Sequence, residues 1–481
     1  MAPRKKNVQY RITAIPPPSA TSPARRARVS CLVRYVASSV MMLLRQVSTG
    51  AYPSLVKCRS SVLLDCHLSL RCLRTVRRWS VLFVRSATHE RPTRPQKRDR
   101  SMSKPKLQII VLHQNLGDEQ AHYAKCPSPP LSGILLAGQT PDSVDVEVLH
   151  EMVRPIDYET DADFVALSFM DFCAPHAYEV AARFRALDKT VIAGGRYPST
   201  FTQEVLPHFD VVVAGESELV WPGVVRDLLA GKADRLYRAP FAPTLEHIPP
   251  PRYDLVESVF AAPVVTEASR GCPFGCSYCA LNIRTKPFRT RPVEDVIRDL
   301  TATADLPFHK RKMAMIYDNN FGGDRKYAKK LLREIARLDL WALGLQFSFN
   351  CLYDDTFMDL IEEANCTMAF LGLESLNQPS LQGVNKRQNR VSEYREQFLK
   401  LKERGILSFT GMMIALDEDT PEYYQQLPTR LEEVDPSAIF LSISIPIPGT
   451  PFAREIEASG RIADHDLAHY DGDHLVFEPR T

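Results

Sequence analysis

Short apolar segments of strand length alternate with amphipathic segments of helical length over most of this 481-residue chain, and this alternation is its most constraining feature. One series begins at Lys106 and a second near residue 262, with a proline-rich stretch over 233–261 between them. Parallel strands need crossover connections, which are usually helices, so each series predicts an α/β unit with a parallel sheet. We therefore expect two α/β domains joined by a linker.

The first series, over 104–232, predicts a doubly wound, flavodoxin-like sheet, and such sheets bind ligands beyond the carboxyl ends of their strands. No GxGxxG motif follows the first strand, so we expect no dinucleotide there. The turns at this edge carry Ser168, Gly194, Gly195, Gly215 and Glu216. Glycines here let the backbone approach a bulky ligand closely. Taken alone, the same turns also suit a flavodoxin-like domain that binds nothing.

The second series, over 262–481, predicts a partial barrel. Six strand segments lie at 263–268, 312–317, 343–349, 367–373, 406–415 and 438–445. Apolar residues at i, i+3, i+4 and i+7 mark helices between them, for example Val293, Val296, Ile297 and Leu300. Because a closed barrel needs eight βα units, six predict an open (β/α)6 barrel with its chemistry at the carboxyl ends of the strands.

Residues 1–101 differ in composition from the rest. They hold 21 Lys and Arg but only three acidic residues, a net charge of +18, which leaves −15 for the remainder. They show no sustained hydrophobic period. We expect this segment to be disordered or non-native, translated from upstream of a true start at Met102. An organelle transit peptide and a basic arm for nucleic acid or anionic lipid are the alternatives.

The sharpest motif is the CxxxCxxC of Cys272, Cys276 and Cys279, just after the first predicted barrel strand. Three thiols cannot all pair as disulfides, and this spacing in an intracellular enzyme indicates a metal. A cubane [4Fe–4S] cluster usually has four cysteine ligands, so three would leave one iron open for a substrate. Structural zinc needs four closed ligands, and the next histidine is His309. Zinc and unliganded buried thiols remain the alternatives.

At these residues the chain resembles the radical S-adenosylmethionine (radical SAM) enzymes. In that family the open iron chelates S-adenosylmethionine, and reduction of the cluster yields a 5′-deoxyadenosyl radical. The resemblance implies cofactor contacts at Tyr278, Asn320, Gly322, Gly323, Glu374, Ser375, Gly411 and Ile414. The turn at 318–324 also suits an ordinary βα connection, and Glu374–Ser375 a helix cap. Ala415 stands where the family usually has glycine, which puts the contact near Ile414 in doubt.

Over 104–481 the chain resembles the cobalamin-binding subclass of this family, which includes hopanoid methylases and the anaerobic magnesium-protoporphyrin ester cyclase. The resemblance implies that 104–232 binds cobalamin. The DxHxxG motif that supplies an axial histidine in other cobalamin proteins is absent, and His113 and His122 do not match it. We therefore expect no protein histidine on cobalt. Relatives usually continue beyond the final HLVFEPRT, so this member is either short or has lost its 3′ end.

The resemblance implies methylation of an unactivated carbon, with a methyl group that a second S-adenosylmethionine supplies to cobalamin. Cobalamin-assisted cyclisation or rearrangement, and a non-catalytic iron–sulfur or cobalamin sensor, are the alternatives. We expect a small-molecule or lipid-like substrate, a low-potential electron donor such as flavodoxin or ferredoxin, no nucleic acid and a cytoplasmic location. No apolar run reaches the length of a membrane span.

Overall fold

The computed structural model describes residues 104–113, 128–240, 244–283, 287–304 and 306–480. The predictions for 1–101 and Met102, and the prediction for His122, lie outside the described residues. Within the described residues, no helix is both long enough and apolar enough to cross a lipid bilayer.

The first sheet has six parallel strands in the order β2-β1-β3-β4-β5-β6. The strands are β1 (Lys106–Val111), β2 (Asp145–His150), β3 (Phe164–Ser168), β4 (Thr190–Gly194), β5 (Val211–Ala214) and β6 (Leu236–Arg238). Strands β2 and β3 pair with opposite edges of β1, so the strand order reverses at β1. This is the flavodoxin-like order, and its switch point lies between β1 and β3. The predicted doubly wound α/β sheet is therefore confirmed.

Helices cover both faces of this sheet. They are α1 (Leu131–Gly138), α2 (Ala174–Ala186), α3 (Arg196–Thr200), α4 (Thr202–Val205) and α5 (Trp221–Leu229). Alternate residues of each strand enter different cores: Ile109 packs with residues of α1 and α5, and its neighbour Ile110 with residues of α2. Because both faces are buried, central strands such as β4 and β5 are continuous apolar runs rather than alternating ones.

The segment predicted as a linker, 233–261, is part of the folded structure where it is described. Strand β6 lies within it and pairs with β5, so the first sheet extends beyond the predicted boundary at 232. Further on, the buried Tyr253 donates from its hydroxyl to the Val265 carbonyl at 2.9 Å. The imidazole Nδ1 of His150 lies 2.6 Å from the Glu257 carboxylate. Proline composition predicted an irregular backbone but not its burial.

The second sheet also has six parallel strands, in the order β14-β13-β12-β11-β10-β7. They are β7 (Val264–Thr266), β10 (Met313–Ile316), β11 (Ala342–Gln346), β12 (Cys366–Glu374), β13 (Leu407–Ile414) and β14 (Ala438–Ile443). A short antiparallel hairpin of β8 (Ser269–Arg270) and β9 (Arg289–Thr290) follows β7. Each strand pairs with the next in chain order, so this is the predicted open six-stranded barrel.

The helices of this half surround the sheet. They are α6 (Val293–Thr301), α7 (Phe308–Arg311), α8 (Arg325–Ala336), α9 (Asp355–Glu363), α10 (Gln378–Gly383), α11 (Tyr394–Glu403), α12 (Pro421–Val434) and α13 (Pro451–Ala458). The predicted stripe on α6 packs into the core, with Val296 and Leu300 buried. Gly405 has a φ of +69° just past α11, where a left-handed residue ends a helix.

Strand β12 shows which side of the barrel is open. Ala369, Leu371 and Leu373 are buried, while the alternate residues, from Met368 to Glu374, are half-buried on the luminal face. On that face the rings of Phe370, Phe409 and Phe440 stack in sequence across β12, β13 and β14, with centroids 5.3 and 6.1 Å apart. One layer further on, Gly372 pairs with Gly411 and Gly411 with Phe440. The lumen therefore combines an aromatic floor with open space at Gly411, whereas a Cβ on Gly372 would meet Glu374 and Lys386.

Candidate functional site

The three cysteines of the motif lie on the loop between β8 and β9, at the carboxyl end of β7. Gly271 begins this loop with a φ of +95°, where a side chain would crowd the Pro287 carbonyl. The Cys279 amide donates to the Cys276 carbonyl at 3.1 Å, and the Asn282 side chain donates to the same carbonyl at 2.6 Å. The loop is therefore compact around Cys276.

All three thiols are free and share one electrostatic environment. Burial raises the pKa of Cys272 and Cys279, the negative charge of the neighbouring thiolates raises both further, and Lys386 opposes this. Binding to a metal removes these protons, because the thiolate is the ligand. No fourth cysteine joins them: Cys173, Cys351 and Cys366, the other described cysteines, are buried elsewhere. The donor set fits a cluster held by three cysteines.

A polar segment, Val384–Gln388, clamps the cysteine loop from the side of β12. The Ser277 amide donates to the Val384 carbonyl at 3.0 Å, and the Asn385 side chain donates to the Gly275 carbonyl at 2.7 Å. The side-chain amide of Gln388 donates to Cys276 Sγ at 3.7 Å. The sequence analysis missed this segment. Its only sequence signal is the polar run NKRQNR, which interrupts the helical pattern between α10 and α11.

The turn after β10 reaches the cysteines from another direction. Asn320 is buried, donates to Cys272 Sγ at 3.9 Å and accepts a hydrogen bond from the Ser348 amide. Gly322 and Gly323 have no room for a side chain, because a Cβ would collide with Cys351 and with Phe288, respectively. These glycines are therefore required by packing, and only Asn320 of the three predicted residues here faces a thiol.

Glu374 ends β12 with a φ of +62° and forms an ion pair with Lys386, whose Nζ lies 2.8 Å from Glu374 Oε1. The same Nζ donates to the Tyr278 hydroxyl at 3.2 Å. Burial opposes the charge on Lys386, but Glu374 and the thiolates of Cys276 and Cys272 raise its pKa overall. Burial and the nearby carboxylate raise the pKa of Tyr278, so its phenol stays neutral. Glu374, Lys386 and Tyr278 thus form a polar group beside the cysteines.

Three other predicted residues, Ser375, Gly411 and Ile414, have surroundings of their own. The Ser375 hydroxyl is fully buried, lies 3.2 Å from the Tyr423 hydroxyl and accepts from the Asn377 amide. Gly411 is exposed in the lumen, with nothing within 4 Å of an added Cβ. The Ile414 carbonyl accepts a 2.7 Å hydrogen bond from the Ser444 hydroxyl.

Ala415, which replaces the usual glycine, nevertheless keeps a φ of +65°. Its amide donates to the Tyr424 hydroxyl at 2.7 Å, which holds this backbone in place. The left-handed conformation costs an alanine about 1 kcal/mol or more. The backbone geometry associated with a glycine is therefore present at this position without the glycine.

The predicted ligand edge of the first sheet divides into open and closed positions. A Cβ on Gly194 would meet nothing within 4 Å, and the hydroxyl of Ser168, on the neighbouring strand, donates to Ser132 Oγ at 3.4 Å. Gly195 differs, because its φ is +106° and a Cβ would lie 2.7 Å from the Phe169 carbonyl oxygen. Gly215 has a φ of +112° and would collide with Ala239. Packing therefore explains why residues 195 and 215 are glycines.

Glu216, also predicted at this edge, instead joins the first sheet to the cysteine loop. Its carboxylate accepts two hydrogen bonds from Arg289 of β9, at 2.6 and 2.9 Å. Arg270 of β8 pairs with Glu218 and Glu267. These residues form one ion cluster that ties the turn after β5 to both strands of the hairpin.

A second residue of the first sheet's edge, Arg196, approaches the cysteines. It begins α3 just after Gly195 and pairs with the buried Asp171. Burial lowers the pKa of Arg196 to about 10, and the Cys279 thiolate opposes that shift. The carboxyl edges of the two sheets therefore face each other, with the cysteine loop between them.

Comparison with known proteins agrees with this geometry. Residues 266–427 match the Radical SAM superfamily model. The chain is 28% identical over 363 residues to bacteriochlorophyllide d C-12(1)-methyltransferase of Chlorobaculum tepidum, covering 73% of this chain and 78% of that protein. It is 23% identical over 360 residues to hopanoid C-2 methylase of Rhodopseudomonas palustris, covering 72% and 68%.

Solved structures share the fold over both halves. The radical S-adenosylmethionine methyltransferase TsrM of Kitasatospora setae, solved with cobalamin and a [4Fe–4S] cluster, superposes with a TM-score of 0.57 at 18% identity, over 74% of this chain and 75% of that one. The cobalamin-dependent radical enzyme OxsB superposes with a TM-score of 0.54 at 15% identity, over 74% and 61%. Residues 266–427 therefore form a radical SAM domain, and the chain shares the two-part fold of these two solved structures.

Proposed function

We propose that this protein is a radical SAM enzyme that methylates an unactivated carbon of a small molecule, using a [4Fe–4S] cluster, S-adenosylmethionine and cobalamin. One observation carries the proposal: the ligand edges of the two sheets face each other across the cysteine loop, linked by Glu216 and Arg289. Cofactors bound at these edges would therefore meet in one chamber. The bacteriochlorophyllide and hopanoid enzymes named above support methyl transfer.

The cysteine loop fits the cluster by its chemistry, as three free thiols with amide donors from Gln388 and Asn320 beside them. When bound, the cluster and S-adenosylmethionine supply hydrogen abstraction, and cobalamin supplies the methyl group. In a zwitterionic ligand, the carboxylate could pair with Lys386 and the ammonium group with Glu374. Tyr278 adds an aromatic ring face and a neutral hydroxyl. These residues would bind and orient a charged, aromatic cofactor.

The first sheet fits a large ligand at Gly194, where the edge is open. The β1–β3 switch point lies beside it, which is where doubly wound sheets take their ligands. We propose that cobalamin lies over Ser168 and Gly194, without a protein histidine on cobalt. His113, the described histidine after β1, has its amide bonded to Glu151 and lies outside any DxHxxG motif.

The barrel lumen favours a substrate with a flat apolar part. Phe370, Phe409 and Phe440 form a continuous aromatic surface, and the exposed fraction of Phe440 is 58%. Aromatic faces stack on flat rings at such centroid distances. We propose a cytoplasmic enzyme, since free thiols suit a reducing compartment. A low-potential donor such as flavodoxin or ferredoxin would supply electrons, and nucleic acid has no role.

The decisive experiment is anaerobic reconstitution followed by product analysis. We expect about four irons per chain, and Cys272→Ala, Cys276→Ala and Cys279→Ala should each abolish the cluster. With reductant and S-adenosylmethionine the enzyme should form 5′-deoxyadenosine, and with cobalamin and substrate also S-adenosylhomocysteine.

The products separate this proposal from its alternatives. A single zinc and no iron would overturn the catalytic proposal. Deoxyadenosine without S-adenosylhomocysteine, in the presence of the true substrate, would indicate cyclisation or rearrangement. Neither product in a protein that holds the cluster and cobalamin would indicate a sensor.

A further inference from the structure

We infer that the side-chain amides of Gln388 and Asn320 raise the reduction potential of the cluster by donating hydrogen bonds to its cysteine sulfurs. The inference rests on the cluster in the proposed function. It adds two positioning residues that lie outside the cysteine motif and act through Cys276 and Cys272.

Hydrogen bonds on both sides of Gln388 fix the position of its side chain beside Cys276. Its Nε2 lies 3.7 Å from Cys276 Sγ, within the range of N–H···S hydrogen bonds. The segment that carries it is anchored on both sides, by Asn385 on the Gly275 carbonyl and by Val384 on the Ser277 amide. On its far side, Asn389 donates to the Gly372 carbonyl and to the Tyr394 hydroxyl. Gln388 is therefore held between two anchored neighbours.

The Asn320 contact comes from an independent loop. Its Nδ2 lies 3.9 Å from Cys272 Sγ, and its Oδ1 accepts the Ser348 amide, which fixes which end of the side chain faces the sulfur. Asn320 is 1% exposed. The acceptor for the N–H that Asn320 directs at Cys272 is therefore the cysteine sulfur.

A positive charge acts on the same sulfurs in the same direction. The ammonium group of Lys386, two residues before Gln388, interacts electrostatically with the thiolates of Cys276 and Cys272. Its side chain is 11% exposed, so water screens this charge little. One donor, Gln388, and one positive charge, Lys386, thus reach the cysteine sulfurs from the Val384–Gln388 segment.

The consequence for redox chemistry follows from charge. Reduction adds an electron to the cluster, and part of that negative charge resides on the sulfur ligands. Hydrogen bonds to those sulfurs stabilise the reduced state and make the cluster easier to reduce. Loss of one such donor should therefore lower the potential without removing a ligand.

The test is potentiometric titration of the reconstituted full-length protein, followed by the electron paramagnetic resonance signal of the reduced cluster, without cobalamin or substrate. Gln388→Met keeps the length of the side chain and removes the donor. We expect full iron content and a reduction equilibrium shifted about tenfold toward the oxidised state, which is about 59 mV for one electron. Gln382→Leu, on the exposed side of α10, is the matched control and should match the wild type.

A second variant covers the case in which Gln388→Met loses the cluster. Gln388→Glu keeps the shape and replaces the donor with negative charge, so it should lower the potential further. If both variants hold the cluster at the wild-type potential, or if neither can assemble one, the inference is wrong and Gln388 is structural. If the wild type itself holds no iron–sulfur cluster, the proposed function fails instead.

Discussion

At the scale of single residues, the site depends on groups whose partners are distant in sequence. Glu374 and Lys386 form an ion pair at 2.8 Å, and Tyr278 reaches it from the cysteine loop. Burying an ion pair costs desolvation energy, which a hydrophobic pair would avoid. A pair retained beside the thiols is therefore better explained by ligand binding than by stability.

Glu374→Gln should weaken S-adenosylmethionine binding about tenfold or more while leaving the iron content unchanged. The amide keeps the shape but loses the negative charge that a cofactor ammonium or ribose hydroxyl would meet. Equilibrium dialysis of the reconstituted protein measures the affinity. Glu363→Gln, on the exposed side of α9, is the control. Wild-type affinity in Glu374→Gln would show that this carboxylate only pairs with Lys386.

The two neighbouring glycines at the end of β4 should respond differently to substitution. Gly194→Val should fold normally but lose cobalamin binding, because its side chain would enter open space at the ligand edge. Gly195→Val should lower the free energy of unfolding by about 1–3 kcal/mol or more even without ligand, because its φ of +106° suits only glycine. Thermal unfolding of the apoprotein and a spectral titration with cobalamin separate the two effects. Undiminished cobalamin uptake by Gly194→Val would place the ligand elsewhere.

At the scale of secondary-structure elements, the turn after β10 positions the cysteine hairpin. The Asp318 carboxylate accepts hydrogen bonds from the Ala268 and Ser269 amides and from the Ser269 hydroxyl, at 2.6–3.0 Å. These contacts fix the path from β7 into β8. Complete burial nevertheless raises the pKa of Asp318 to about 6.

The raised pKa predicts a pH dependence of stability. A carboxyl group with a folded pKa above its unfolded value binds more protons in the folded state, so its contribution falls as the pH rises from about 4 to about 6. The stability difference between wild type and Asp318→Asn should therefore shrink across this window, by on the order of 1 kcal/mol per pKa unit. Urea unfolding of both proteins at several pH values measures this. A difference that grows with pH would mean that the three hydrogen bonds outweigh burial.

At the scale of the whole molecule, an ion cluster joins the two sheets. Glu216 and Glu218 follow β5, while Arg270 and Arg289 belong to the hairpin that carries the cysteines. The cluster is largely buried, with Arg289 and Glu216 side chains 8% and 12% exposed. It couples the proposed cobalamin edge to the cluster loop mechanically.

Glu216→Gln tests this coupling. It leaves Arg289 without its carboxylate, which should lower the free energy of unfolding by about 1–3 kcal/mol after allowance for partial solvent screening. Limited proteolysis should then cut faster within 233–261, because the two halves are less firmly joined. If cobalamin binding is lost while the proteolysis rate is unchanged, Glu216 contacts the ligand directly instead.

Much of the molecule was predictable from sequence because the determining interactions are local. Strand and helix positions follow from apolar periodicity, and each parallel strand in a βα series has few places to go. The cysteine motif lies within eight residues on one loop, so its spacing alone indicated a metal. Gly405 lies just past α11 with a φ of +69°, and the preference for glycine at such a helix end is also local.

Pairings between residues far apart in the chain were decided only by the tertiary structure. Lys386 and Gln388 lie more than 100 residues from the cysteine loop and belong to no periodic pattern, so nothing local marked them. The sequence predicted Glu216 at the ligand edge but not its pairing with Arg289, which lies 73 residues away. Gly195 and Gly215 were predicted to lie beside a ligand; backbone packing also requires glycine at both positions, and the ligand contact stays a prediction. The sequence by itself determined which chemistry is present; long-range packing decided which side chains face it, because such contacts depend on how the two sheets meet.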